Sequence, residues 1–356
     1  MALKVIKVSR VSPATDSIAP LILPLTFFDL MWLNFYPVER VTFYRHTELS
    51  HDSFYSLILP KLEESLRLAL SHFLPLSGHL KWDPQVPKPH IFIFPQDIVS
   101  LTVAETTDAD FSRVSGKGLR HQTELRPLVP KLPVSSDSLA ILALQITLFP
   151  DQGFCIGISV NHAAVDGETL VKFLKTWAHI CKYGVIPQDF HLPVLLDRTV
   201  INLPAELERK ILEFPPYNGS VRPACSFELL RLSGYKAKTF LGENGFVNGV
   251  NILSDSVRGL SSRGVESVWE LYEEGLKAME LGVRRLVVGG SNKFGIYGSD
   301  FGWGRPVNTE NISLARSILF TMSETRDETG GVEIGICLKK CEMDVFVSVF
   351  LNGLPN

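Results

Sequence analysis

Stretches with helical spacing of apolar residues alternate along this chain with stretches typical of strands, and no segment repeats. Residues 60–73 place apolar side chains three and four positions apart, begin at Pro60 and stop before Pro75, which predicts an amphipathic helix. The same spacing predicts further helices over residues 168–183, 205–214 and 265–281. Gly184 follows the second of these helices directly, in the position of a C-cap.

Runs of β-branched and aromatic residues predict the strands. They cover residues 1–8, 90–95, 139–148, 153–160, 285–288, 333–338 and 344–351. The last run, DVFVSVFL, is apolar enough to predict a strand that is buried on both faces. The mixture of helices and strands predicts an α/β protein with two mixed-sheet domains.

Composition places the chain among globular proteins and excludes several kinds of partner. Of its 356 residues, 45% are hydrophobic and 21% are charged, which is typical of a folded protein. A net charge of −3 argues against binding to nucleic acid or to an anionic membrane, since both need a basic surface. We expect no membrane span and no signal peptide. Five cysteines without a CxxC pair predict neither disulfides nor a zinc site, which fits the cytosol.

The candidate chemistry lies in the segment His162-Ala-Ala-Val-Asp166-Gly167, directly after a predicted strand. A neutral imidazole there can act as a general base that takes the proton of an acceptor hydroxyl, and the oxygen then attacks a thioester carbonyl. In the alternative interpretation, His162 is a core histidine bound to a carbonyl and Asp166 is the N-cap of the next helix. His79 and Asp83 repeat the spacing, but their surroundings predict a surface loop without a catalytic role.

A second motif, Asp300-Phe-Gly-Trp-Gly304, lies far downstream. Together the two motifs resemble those of the plant BAHD acyltransferases, which use coenzyme A thioesters. Four other segments are similar to family segments: LPLTFFDL at 23–30, LPLSGHL at 74–80, SNKFGIY at 291–297 and EMDVF at 342–346. The resemblance therefore covers nearly the whole chain.

The resemblance implies two α/β domains of the chloramphenicol acetyltransferase type, with mixed sheets and flanking helices. We place the N-terminal domain at residues 1–186, a linker or crossover at 187–233 and the C-terminal domain at 234–356. The branch that the chain most resembles transfers malonyl groups from malonyl-CoA to sugar hydroxyls of phenolic or flavonoid glucosides. Acyl-CoA is then a co-substrate, with no bound cofactor or metal, and the enzyme is expected to be a cytosolic monomer.

The resemblance also implies a role for each motif residue. His162 is expected to be the general base, in a solvent channel between the domains. Asp166 is expected to point away from the substrate and pair with an arginine, so that it shapes the loop together with Gly167. The remaining residues are expected to form a rigid structural turn: Asp300, Gly302, Trp303 and Gly304.

The chain is shorter than family members, and we expect the shortfall after the linker, where D-x-R-x-R and Y-F-G-N segments have no counterpart. Asp166 then lacks its arginine, and a buried carboxylate without a partner is unfavourable by several kcal/mol. The C-terminal domain is expected to be incomplete and to expose apolar faces. An inactive relative is therefore the alternative function. Malonyl preference needs a cation for the free carboxylate, and the candidates are Arg198, Arg222 and Arg305.

Overall fold

A computed structural model describes residues 2–14, 19–33, 36–82, 85, 88–135, 137–188, 205–213, 244–260, 267, 270, 287–313, 319–327 and 330–353. The helix expected over residues 265–281 therefore lies almost entirely outside the described residues. Among the helices that are described, none has the length and the apolar character that a bilayer crossing requires.

The described residues form strands and helices in alternation. The strands are β1 (Lys4–Val11), β2 (Leu21–Pro24), β3 (Val38–Arg45), β4 (His79–Lys81), β5 (His90–Ile93), β6 (Val99–Glu105), β7 (Ser138–Ala140), β8 (Leu142–Phe149), β9 (Gly153–Val160), β10 (Val287–Ser291), β11 (Asn308–Asn311), β12 (Leu319–Glu324) and β13 (Val332–Ile336). The helices are α1 (Phe27–Leu30), α2 (His51–Ser53), α3 (Leu59–His72), α4 (Phe111–Val114), α5 (Gln122–Leu125), α6 (Gly167–Tyr183), α7 (Ala205–Glu213), α8 (Gly245–Leu260) and α9 (Lys340–Gly353).

The largest sheet has six strands in the order β1-β6-β8-β9-β3-β11. Its central strands β8 and β9 run antiparallel, and every residue of both strands is buried. Apolar clusters on both faces of the sheet explain why these strands show no alternation of apolar and polar positions. Strands β6 and β8 are parallel, so the sheet is mixed, and the predicted α/β class is confirmed.

Helices α3 and α6 pack against each other beside this sheet, as their apolar spacing predicts. The fully buried Trp177 of α6 joins them, because its Nε1 donates a hydrogen bond to the carbonyl of Leu62 on α3 at 3.0 Å. The predicted C-cap is confirmed, since Gly184 has a φ of 74°, in the left-handed region that favours glycine. The position of α6 fixes where the preceding loop can lie.

Two smaller sheets complete the described structure, in the orders β2-β5-β4-β7 and β10-β12-β13. The strand predicted over residues 139–148 is divided between two sheets, because β7 joins the four-stranded sheet and β8 the six-stranded one. The division falls at Ile141, whose N–H donates to the carbonyl of Gly78 and whose own carbonyl accepts from Asn161. The backbone of Ile141 therefore makes its hydrogen bonds outside the strand pairing of both sheets.

Strand β11 belongs to the C-terminal part of the chain but lies at the edge of the six-stranded sheet. It pairs antiparallel with β3, and Thr309 stands opposite Thr42. The two threonine hydroxyls lie 3.3 Å apart. One strand from the C-terminal range thus completes a sheet of the N-terminal range, and the expected domain limits remain a prediction.

The expectation of a buried closing strand at residues 344–351 is wrong. These residues belong to α9, and no residue of this helix is buried. Phe346 and Val347 are half-buried along one side, whereas Val349 and Phe350 are exposed. A short apolar run fits a strand or a helix equally well, so its composition alone does not decide between them.

Apolar side chains lie exposed in the described C-terminal residues, in agreement with an incomplete second domain. They occupy α8, β13 and α9, and they are Phe246, Val247, Val250, Val332, Ile334, Val345, Val349, Phe350 and Leu351. Isolated exposed apolar residues are ordinary, but several on one element, as on α8 and on α9, mark a face that normally contacts another surface.

Candidate active site

A tight loop connects the buried strand β9 to α6 and carries the candidate base. The side-chain oxygen of Asn161 accepts a hydrogen bond from the N–H of Ala163 at 2.9 Å, and its carbonyl accepts from Ala164. At the other end of the loop, a Cβ atom on Gly167 would lie 2.9 Å from the ring of Phe294. A larger residue at this position would therefore displace the ring of Phe294, and the loop-shaping role of Gly167 remains a prediction.

His162 lies in this loop with one ring nitrogen sealed from solvent. The residue is half-buried, and among the described residues its Nδ1 has no hydrogen-bond partner. The imidazole is stacked on the indole of Trp32, with ring centroids 3.8 Å apart and ring planes inclined by 6°. Burial holds the pKa of His162 below its usual value, although its own backbone carbonyl and the carboxylate of Asp166 act in the opposite direction. The imidazole is therefore neutral near neutral pH.

Asp166 begins α6 as its N-cap. Its Oδ1 accepts a hydrogen bond from the N–H of Thr169 at 2.8 Å, as the capping interpretation of the sequence predicts. Within the described part of the chain no cation forms an ion pair with it. The expected unfavourable burial of this carboxylate does not arise, because the side chain is exposed to solvent.

The downstream motif forms a turn organised by one carboxylate. Asp300 Oδ1 accepts hydrogen bonds from the N–H groups of Gly302 at 2.8 Å and Gly304 at 3.0 Å, and Oδ2 accepts from Lys182 Nζ at 2.7 Å. Burial disfavours ionisation of Asp300, but these three donors outweigh it and hold its pKa below the usual value. The φ angles of Gly302 and Gly304 are 107° and 101°, so the turn depends on both glycines.

Aromatic side chains of this turn pack on elements from the N-terminal half. The ring of Phe301 is fully buried and meets Trp177 and Tyr44 edge to face, at centroid distances of 4.9 Å and 5.4 Å. Lys61 of α3 holds its ammonium 5.5 Å above the ring of Trp303. The motif therefore connects the C-terminal range to α3, α6 and β3. None of these contacts involves His162. Its expected structural role remains a prediction.

The second His-Asp spacing is not part of this site. His79 opens β4, where it is half-buried and its Nδ1 lies 3.3 Å from Asp97 Oδ1. The expected surface loop is therefore wrong for His79, and Asp83 lies outside the described residues. No three His, Cys, Asp or Glu side chains in the described ranges are grouped so as to hold a metal ion.

Of the three arginines expected to hold a malonyl carboxylate, the structure describes one. Arg198 and Arg222 lie outside the described residues, and Arg305 is an exposed residue after the Asp300–Gly304 turn. Sequence reasoning did not single out Arg40 of β3, which lines a cavity whose described lining does not include His162. The available signal was the charged pair Glu39-Arg40 between two valines.

Arg40 lines a cavity of about 480 Å³ bounded by the edge strand β11, by β12 and β13, and by α9. The Nε atom of Arg40 is buried and without a hydrogen-bond partner among the described residues. The other two cations lining the cavity are neutralised, because Lys117 pairs with Glu333 and Arg120 pairs with Glu310. Among the described residues Arg40 forms no ion pair, but the carboxylate of Glu324 acts on its charge and opposes the lowering of its pKa by burial.

Comparison with known sequences identifies the family. The sequence pattern of the Transferase family matches residues 1–254 and 259–351. A BAHD acyltransferase of Arabidopsis thaliana is 52% identical over 446 aligned positions, which cover 99% of this chain and 99% of that protein. The chain belongs to the BAHD acyltransferase family.

Two further BAHD relatives differ in the reaction that their names describe. Agmatine coumaroyltransferase of Arabidopsis thaliana is 47% identical, and phenolic glucoside malonyltransferase 2 of the same plant is 37% identical. Both alignments cover all of this chain and all of the relative. These relatives establish an acyltransferase and give no support to the inactive alternative, but they do not agree on the acyl group.

The BAHD fold is confirmed by solved structures. Vinorine synthase superposes with a TM-score of 0.63 at 16% identity, covering 96% of each chain. F. graminearum TRI101 complexed with ethyl coenzyme A superposes with a TM-score of 0.54 at 12% identity, covering 93% of this chain. The alignment spans 446 positions whereas this chain has 356 residues, so at least 90 positions have no residue of this chain. This chain is therefore shorter than its relatives.

Proposed function

We propose that this chain transfers an acyl group from an acyl-CoA thioester to a small acceptor, with His162 as the general base. The imidazole takes the proton of the acceptor hydroxyl, and the oxygen attacks the thioester carbonyl. The tetrahedral intermediate then collapses and expels the thiolate of coenzyme A, which takes the same proton back from the imidazolium. The general base is regenerated and no covalent enzyme intermediate forms.

The observation that carries this proposal is the state of His162. Its Nδ1 is sealed in the protein, so Nε2 is the nitrogen that remains to accept a substrate proton. The lowered pKa keeps the ring neutral and therefore ready to act as a base. In the same proposal, Asp166 and Gly167 shape the loop, and Asp300, Gly302, Trp303 and Gly304 keep the C-terminal range attached to α6 and α3.

For the donor we propose malonyl-CoA, and for the acceptor a sugar hydroxyl of a phenolic or flavonoid glucoside. In this proposal Arg40 holds the free carboxylate of the malonyl group, as a guanidinium can, although the described lining of its cavity does not include His162. Two phenolic glucoside malonyltransferases of Arabidopsis thaliana at 37% identity support it as well. We also propose that the enzyme acts as a cytosolic monomer.

A second candidate is transfer of an aromatic acyl group to an amine. The observation that favours it is the 47% identity to agmatine coumaroyltransferase, which exceeds the identity to the malonyltransferases above. The two candidates differ in charge, because coumaroyl carries no carboxylate and agmatine is a cation.

The deciding experiment measures release of coenzyme A thiol from purified protein. Malonyl-CoA and coumaroyl-CoA are each supplied with a phenolic glucoside mixture and, separately, with agmatine. His162→Ala tests the base, and His79→Ala is its matched control because it removes the other histidine with the same spacing to an aspartate. Arg40→Ala tests the carboxylate site, and Arg67→Ala on the surface of α3 is its control.

We expect acceptor-dependent release from malonyl-CoA that disappears in His162→Ala and persists in His79→Ala. Arg40→Ala should raise KM for malonyl-CoA more than for coumaroyl-CoA, since it removes binding to the free carboxylate. Release of coenzyme A that persists in a folded His162→Ala variant would refute the role of His162 as the general base. Release from coumaroyl-CoA and agmatine alone would replace the malonyl proposal with the second candidate.

A further inference from the structure

The stack between Trp32 and His162 joins two distant parts of the chain. The nearly parallel rings and the centroid separation of 3.8 Å place the whole imidazole against the indole face. Aromatic rings attract at such distances, and a face-to-face contact also fixes the plane of the smaller ring. Trp32 therefore determines in which plane the proposed base can lie.

A general base normally receives its orientation from a hydrogen bond to the ring nitrogen that does not react. At His162 the interaction of this kind is with the residue's own backbone carbonyl, and Nδ1 has no other partner among the described residues. Asp166 does not hold the ring, since its Oδ1 caps α6 through Thr169 and the side chain is exposed. The contact that ties the ring to a distant part of the fold is the stack on Trp32.

Trp32 is itself held rigidly, as an orienting group has to be. It follows α1, where Thr26 and Asp29 form a reciprocal capping box. The backbone N–H of Trp32 donates to the carbonyl of Asp29 at 3.0 Å. The preceding residues Leu30 and Met31 are buried in the core, so the indole is fixed from the backbone side.

We propose that Trp32 is the positioning residue of the general base: its indole, stacked on His162, fixes the plane in which the ring presents Nε2 to the substrate. This inference rests on the proposed role of His162. A half-turn of the imidazole about its Cβ–Cγ bond would move Nε2 to the position of Cε1, and the ring would have to leave the stacked plane to make that turn. The indole face also attracts the imidazolium that forms during transfer.

The test separates positioning from folding with paired variants. Trp32→Leu keeps an apolar side chain but removes the ring, whereas Trp32→Phe keeps a ring that can stack. Trp82→Leu is the matched control, because Trp82 is 44% exposed at the end of β4. Thermal melts establish that each variant is folded, and coenzyme A release gives kcat and KM.

We expect Trp32→Leu to lower kcat by about 10- to 100-fold with little change in KM, the size of effect that misplacement of a reacting group produces. Trp32→Phe should recover most of the rate, and Trp82→Leu should match the unaltered protein. A folded Trp32→Leu variant with unchanged kcat would overturn the proposal. So would an equal loss in Trp32→Phe and Trp32→Leu.

A spectroscopic measurement tests the stack without relying on activity. The ring protons of His162, assigned by comparison with His162→Ala, should resonate upfield because they lie over the indole. The upfield shift should vanish in Trp32→Leu and remain in part in Trp32→Phe. An unshifted signal in the unaltered protein overturns the positioning role. Activity that survives in His162→Ala overturns the proposed base instead, so the two failures are distinguishable.

Discussion

Asp166 is predicted to support the fold and the charge of the site without taking part in proton transfer. Asparagine caps a helix about as well as aspartate, so Asp166→Asn keeps the bond to Thr169 and loses only the charge at the N-terminus of α6. At an exposed site that charge is worth about 0.3–1 kcal/mol. Asp166→Ala also loses the cap, and the total loss of stability should be about 1–2 kcal/mol.

Thermal unfolding measures this difference directly. For domains of 150–250 residues, about 1 kcal/mol corresponds to about 2–4 °C in Tm. Asp166→Ala should therefore melt about 2–8 °C below the unaltered protein, with Asp166→Asn above it. Asp110→Ala is a matched control, because Asp110 caps α4 through Ser112 and Arg113 away from His162.

The pH profile of coenzyme A release measures how the charge of Asp166 affects His162. The carboxylate of Asp166 raises the pKa of His162, so its neutralisation in Asp166→Asn lowers that pKa further. The acidic limb of the rate should move to lower pH while the plateau is retained, and Asp110→Ala should leave the limb in place. A loss of plateau activity in Asp166→Asn as complete as that in His162→Ala would refute the reasoning, because it would require Asp166 to act in the proton transfer itself.

Three further predictions follow from the described geometry. The pKa of His162 in the folded protein lies below its usual value of 6.5, so the unfolded chain binds the proton first as pH falls. Stability should therefore fall as pH drops below 6.5. Urea melts should show a weaker dependence of stability on pH in His162→Ala than in the unaltered protein. Gly302→Ala should lower the free energy of unfolding by about 1–3 kcal/mol through backbone strain, since the φ of Gly302 is 107°. Gly118→Ala is the control in the same melts and should leave stability unchanged, because a Cβ atom at Gly118 would contact no other atom. Val349→Glu should raise the solubility limit of the protein without lowering its Tm, because that α9 side chain is 68% exposed, and an unchanged limit would count against an apolar face there.

Local rules were sufficient where neighbouring residues determine the structure. The apolar face of α6, its glycine C-cap at Gly184 and the N-cap at Asp166 all depend on side chains a few positions apart. Strand β9 is recognisable over its full length from its apolar run. The loop that carries His162 is located by these two elements, so its place in the chain was predictable.

Features that depend on contacts between distant segments of the chain could not be predicted from the sequence. The contact between Trp32 and His162 spans two segments that only the assembled core brings together, and no local spacing indicates it. The cavity at Arg40 likewise needs β11, β13 and α9 to surround it. The closing run, which forms α9, is short and apolar, and its composition fits a strand as well as a helix.

The pairing of β11 with β3 affects the order in which the molecule can be built during synthesis. Thr42 and Thr309 are 267 residues apart, so the N-terminal part of the chain leaves the ribosome long before its last strand exists. Until then the edge of β3 that pairs with β11 has unpaired backbone N–H and C=O groups, to which a strand of another molecule can bind. Contacts so distant in sequence form slowly, and an exposed sheet edge is the surface through which nascent chains associate wrongly. The nascent chain therefore depends on protection of this edge until β11 arrives.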